Sequence, residues 1–198
     1  MDPETERILK EEPRRPEKSS LKMVVMGYQG VGKKTLMDGL QGKWSEIRSK
    51  KTRKGERDDD LGIGGRDLNV EIIHTAVKRH FPFIQRLPSC DAYLLVYSLV
   101  CEDSFKSVTA VREQILKQKG DSIPIIFVAN KTDIAQDADK TVRVYRDLSI
   151  SCEWEHGHYE VSARDSSDIN RVLEHTMRRV NKNDPLMKAA KAGGTSKH

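Results

Sequence analysis

Gly27-Tyr28-Gln29-Gly30-Val31-Gly32-Lys33-Lys34-Thr35 is the stretch on which the fold turns. It follows the apolar run Leu21-Lys22-Met23-Val24-Val25-Met26 and precedes Leu36-Met37-Asp38-Gly39-Leu40, between an expected strand and an expected helix. Strand, glycine-rich turn, lysine and helix, in that order, make a phosphate-binding loop. Glycines let backbone N–H groups wrap a phosphate chain, and the helix start offers unpaired donors to the same anion. Lys33 is placed to reach the outer phosphates. Each glycine alone would mark no more than a turn; their spacing with a lysine behind a strand carries the reading. One position departs from the pattern. A Ser or Thr hydroxyl that binds Mg²⁺ is expected directly after the lysine, and Lys34 stands there with Thr35 one place late.

Beyond this loop, strand and helix alternate. Residues 66–73 alternate polar and apolar as a strand with one buried face does. Residues 92–99 and 123–129 are near-continuous apolar runs, which suit central strands of a parallel sheet covered on both faces. Between them Phe105, Val108, Val111 and Ile115 recur at helical spacing, with Asp103 or Ser104 as the expected cap. A shorter helix is expected around Val142, Tyr145 and Leu148, then a strand at 158–161. A last helix would bury Ile169, Val172, Leu173, Thr176 and Val180. The pattern predicts a doubly wound α/β domain, with ligands at the carboxyl ends of its strands.

At 198 residues the chain fits one domain with short tails. Apolar residues at 36% against 33% charged are few for such a domain, so the tails and one internal segment are expected to add little to the core. Residues 1–20, with Pro3, Pro13 and Pro16 among charges of both signs, read as a disordered arm; 21–182 as the domain; 183–198 as a flexible tail. The internal segment is 43–60, where Arg48, Lys50, Lys51, Arg53, Lys54 and Arg57 precede Asp58-Asp59-Asp60; such a block reads as a solvated loop. Gly62, Gly64 and Gly65 weaken any strand that begins at Leu61. A net charge of +5 suits an anionic ligand, but no basic stripe with interleaved aromatics points to nucleic acid. Cys90, Cys101 and Cys152 form no CxxC pair and read as free thiols of a reducing compartment, which makes the expected location cytoplasmic. No signal peptide or spanning apolar run is present, and neither a C-terminal cysteine nor Gly at position 2 offers a lipid anchor. The tail lysines allow at most weak contact with an acidic membrane surface.

Two further segments follow strands. Asn130-Lys131-Thr132-Asp133 comes directly after the second apolar run, and Glu160-Val161-Ser162-Ala163-Arg164 closes the last strand. With the phosphate loop these motifs stand in the order and spacing of a Ras-type small GTPase, and the chain resembles that family over about residues 21–182. The resemblance implies a P-loop NTPase fold and GTP or GDP as ligand. Gly27, Gln29, Gly30, Val31, Gly32, Lys33, Lys34 and Thr35 would lie along the phosphates. Asp133 would accept hydrogen bonds from two guanine nitrogens, while Asn130 and Lys131 brace the loop and flank the base. The Ala163 N–H would meet the guanine carbonyl, Ser162 would hold the loop, and Arg164 would complete the segment. A carboxylate in a half-dry pocket rejects a base that leaves it unpaired. Partners would be guanine nucleotide and an effector or regulatory protein.

The catalytic half departs from the family. Its Asp-x-x-Gly reads His74-Thr75-Ala76-Val77, with His74 41 positions after Lys33. A histidine cannot supply the anionic partner that orients a water on Mg²⁺, and β-branched Val77 suits the glycine's backbone swing poorly. Lys78 follows where the family positions the attacking water; an ammonium donates but cannot accept the water's proton. Gln29 fills a place where many relatives have Gly and is expected to crowd the transition state. Thr52 falls at the offset of the threonine that closes over Mg²⁺, though its basic neighbours do not match. Lys34 would aim an ammonium toward the ion's position or else face solvent, while Thr35 is turned by about 100° from it. Altered switch sequences without a lipid anchor are loosely like the Rad and Gem branch. Two functions follow as expectations: a nucleotide-binding signalling protein with weak or absent hydrolysis, or a pseudo-GTPase scaffold acting through protein contacts.

Overall fold

The computed structural model describes residues 20–54, 67–74, 86–135 and 139–183. Five strands form one parallel sheet: β1 (Ser20–Gly27), β2 (Asp67–His74), β3 (Ala92–Ser98), β4 (Ile125–Asn130) and β5 (Gly157–Val161), in the order β2-β1-β3-β4-β5. Every residue of β3 and β4 is buried, as continuous apolar runs require when helices cover both faces. Residues 123 and 124 lie outside β4. Pro124 has no N–H to add to a ladder, and its carbonyl instead accepts from Tyr93 at 2.9 Å.

The helices are α1 (Lys33–Lys54), α2 (Glu102–Lys119), α3 (Lys140–Leu148), which runs into a π turn at Ser149–Glu153, and α4 (Ser166–Asn183). Leu36, Leu40 and Trp44 of α1 and Ile169, Val172, Leu173, Met177 and Val180 of α4 bury against one face of the sheet. Val108, Val111 and Ile115 of α2, with Ile150, bury against Tyr93, Leu95, Tyr97 and Phe127 on the other. Strand register sets the functional edge. Gly27 pairs with His74 and Val96, Ser98 with Asn130, and Asn130 with Val161, so all five strands deliver their carboxyl ends together. The order reverses between β1 and β3, the switch point where such sheets bind ligands.

Three expectations are corrected. The segment 43–60 is not a loop as far as Lys54, because α1 runs through it. Trp44 and Ile47 continue the inward stripe of Leu36 and Leu40 at steps of four and three, and Lys43 pairs with Glu46 at 3.0 Å. One apolar residue per turn holds this helix down, and the dense charge around it hides that pattern. Residues 55–60 lie outside the described residues, as do Gly62, Gly64 and Gly65, the arm up to Ser19 and the tail from Asp184; Ser20 already belongs to β1 and Asn183 still belongs to α4.

Neither Asp103 nor Ser104 caps α2. Cys101 holds that place without a side-chain bond, and Ser104 Oγ accepts from the Ser98 N–H at 2.9 Å and donates to the Cys101 carbonyl. In α3 the apolar residues face outward. Val142, Val144, Tyr145 and Leu148 are exposed, whereas Arg146 is buried over the Phe105 ring at 4.6 Å and paired with Glu102. Arg143 pairs with Glu160 of β5. This helix is docked by its arginines, through charge-assisted bonds and aromatic faces.

At the opposite end of the sheet His156 accepts from Arg112 Nε at 2.9 Å and stacks 6.0 Å from Phe127. Burial, then the Arg112 and Arg179 cations, hold its pKa down at about 4, against 6.5 for a free histidine. Folding therefore requires the neutral ring. Its contribution is full above pH 6.5 and is lost as pH falls through that value toward about 4. The urea midpoint should drop between pH 7 and pH 4.5, and His156→Gln, less stable at pH 7, should show a shallower acid slope.

Candidate functional site

Gly27 closes β1, and three glycines turn the chain into α1. Gly27, Gly30 and Gly32 all have positive φ. A Cβ on Gly27 would stand 2.1 Å from the Val96 carbonyl oxygen and one on Gly32 2.3 Å from Asn130 Nδ2. The loop thus needs glycine twice for space as well as for backbone angle. The Gly32 carbonyl accepts the first helical bond, from Leu36 N at 3.0 Å, which puts Lys33, Lys34 and Thr35 in the opening turn with free N–H groups. No acidic residue stands in that turn.

Lys33 is buried, and its Nζ donates to the carbonyls of Gly27 at 2.8 Å and Tyr28 at 2.6 Å. Burial holds its pKa below the ordinary lysine value. Lys34 and Thr35 are exposed at the helix start, and Gln29 and Gly30 form the exposed tip of the loop. Val31 is buried beneath it.

The base-side segments meet this loop through one side chain. Asn130 is 3% exposed; its Nδ2 donates to the Val31 carbonyl at 2.8 Å and its Oδ1 accepts from the Ala163 N–H at 2.8 Å. Lys131 adopts φ 73, a left-handed step that swings the chain into the turn Thr132–Ile134 and brings Asp133 beside Ser162. Ser162 Oγ donates to Asp133 Oδ1 at 3.1 Å, and Arg164 Nη1 lies 3.8 Å from Asp133 Oδ2. Residues read from three distant segments therefore stand together at one edge. The Ala163 N–H is already engaged by Asn130, so a guanine carbonyl would share that donor. Sequence reading missed Asp168, whose Oδ2 accepts from the Ser162 N–H at 2.8 Å while Oδ1 meets Arg171 at 3.1 Å. An acid in the first turn of α4 was the available signal.

Among the described residues the donors expected for Mg²⁺ are not brought together. Lys34 has no lone pair to give. Thr52 lies 19 residues beyond Lys33 within α1, roughly 28 Å along the helix at 1.5 Å per residue, so it is no closing threonine. His74 ends β2 abreast of Gly27, where a carboxylate would be needed. Val77 and Lys78 lie outside the described residues. Among those described, no three His, Cys, Asp or Glu side chains gather around a metal position.

The model of the Ras family matches residues 22–182. The chain is also similar to the GTP-binding protein Rheb homolog 1 of Caenorhabditis elegans, with 28% identity over 162 residues, 80% of this chain and 77% of that protein. No helix among the described residues is long and apolar enough to cross a membrane.

Asn130→Ala should strand the Val31 carbonyl and the Ala163 N–H, and should destabilise the nucleotide-free protein by about 1–3 kcal/mol in urea unfolding. A change below about 0.5 kcal/mol would mean that the two loops are not coupled through this side chain.

Proposed function

The chain belongs to the Ras family, and from that membership and its site geometry we propose a guanine-nucleotide-binding signalling protein whose own GTP hydrolysis is very slow or absent. The observation that carries the proposal is the Asn130 amide, which joins the phosphate loop at Val31 to the base loop at Ala163. A single ligand spanning both loops needs them at a fixed separation, and this bond sets it. Asp133, held at one oxygen by Ser162 and half-exposed, keeps lone pairs for the paired N–H groups of guanine. Adenine would leave that carboxylate unmatched. Gly27, Gln29, Gly30, Val31, Gly32, Lys33, Lys34 and Thr35 line the phosphates in this reading, and Lys131 and Arg164 flank the base.

Slow turnover follows from residue chemistry. Phosphoryl transfer is catalysed by positioning and charge stabilisation. His74 ends β2 without a carboxylate to steady a metal-bound water, and Lys78, by its place in the sequence, would offer an attacking water a donor and no acceptor. Gln29 sits at the exposed tip of the loop, and a side chain there would crowd the transition state. Effectors or regulators of a Ras-type protein are its expected partners. The scaffold alternative, with little use of nucleotide, draws on the same replacements at positions 74, 77 and 78.

Asp133→Ala should abolish the preference for GDP over ADP and weaken GDP at least about tenfold, in competition against a fluorescent nucleotide. Single-turnover hydrolysis of bound GTP should stay below about 10⁻⁴ s⁻¹ without a partner protein. Brisk turnover, or guanine preference surviving in Asp133→Ala, would refute the proposal.

A further inference from the structure

We infer that Lys34 stands in for the divalent cation: its ammonium neutralises the phosphates of the bound nucleotide, and guanine nucleotide binds without Mg²⁺. The inference rests on the nucleotide-binding reading above and starts from the mismatch between this chain and the ion its family implies. Three donors that would hold or support Mg²⁺ are replaced or displaced together. Lys34 occupies the hydroxyl position, Thr52 is far along α1, and His74 replaces the carboxylate at the end of β2.

Lys34 has what the substitute role requires. It occupies the second position of α1, after the Gly32 carbonyl has accepted the first helical bond. Its side chain is exposed and has no hydrogen-bond or ion-pair partner among the described residues; Asp38, one turn on, does not hold it. No acid in the first turn competes for it. Lys33, by contrast, is folded back on the Gly27 and Tyr28 carbonyls, which leaves Lys34 as the exposed lysine of the opening turn.

Electrostatics argues the same way. A divalent cation beside a fixed ammonium is repelled by it, whereas phosphate oxygens are attracted to both lysines and to the free N–H groups of the opening turn. Thr35 cannot restore the lost ligand, because it is turned by about 100° around the helix from Lys34. The opening turn of α1 therefore offers an anion two lysines and no competing acid.

The test is a titration of the full, nucleotide-stripped chain with fluorescent GDP, in excess EDTA and in millimolar Mg²⁺, for the unaltered protein, Lys34→Met and Lys34→Arg. The expected result is equal affinity in the two buffers, a loss of about ten- to a hundredfold in Lys34→Met, and recovery in Lys34→Arg. Binding that is strong in Mg²⁺ and at least about tenfold weaker in EDTA would overturn the inference and leave the nucleotide reading standing. Equal affinity in both buffers with Lys34→Met unchanged would also overturn it, since the charge would come from elsewhere. No binding of GDP in either buffer would overturn the inference and the nucleotide reading together.

Discussion

The buried amide of Asn130 is the constraint on which the site depends. It leaves the end of β4 and satisfies two backbone groups on two different loops, one 99 residues earlier in sequence and one 33 later. Neither group could be left bare at that depth without a cost comparable to a lost hydrogen bond. The amide fits only because Gly32 presents no side chain, its absent Cβ lying 2.3 Å from Asn130 Nδ2. Strand order, glycine and amide are thus parts of one arrangement. The parallel sheet brings the loops to the same edge, and the amide fixes how far apart they stand.

Around that fixed pair the electrostatics is one-sided. The opening turn of α1 holds two lysines and no acid, and its first N–H groups have no partner within the helix. Elsewhere charge is used structurally. Arg146 is buried against Tyr97 and Phe105, Arg143 grips Glu160, and the apolar side chains of α3 are left on the surface. Surface character in this fold is therefore a poor guide to what docks each helix. Buried arginine with a carboxylate partner and an aromatic face can do what a leucine stripe does in its neighbours.

Much of this was legible in the sequence because the signals were redundant. The continuous apolar runs gave β3 and β4, and the phosphate loop, Asn130 to Asp133 and Ser162 to Arg164 each followed a strand, so parallel pairing had to bring them together. What escaped was local and physical. The length of α1 was hidden because Trp44 and Ile47 carry its apolar stripe through a stretch that is otherwise lysine and arginine. That misreading also made Thr52 a candidate for closing over an ion it lies far from. The inward arginines of α3 could not be read from hydrophobic spacing, since their partners Glu102 and Glu160 come from other elements. Asp168 went unnoticed because its contact is to a backbone N–H, which leaves no mark in a motif.

The central claim is that the two loops joined by Asn130 grip one guanine nucleotide. The most direct measurement is the nucleotide content of the purified full chain, released by denaturation, separated by chromatography and quantified against protein. The account predicts guanine nucleotide in near-stoichiometric amount, or its ready uptake by stripped protein. A preparation that carries none and takes up none would contradict it.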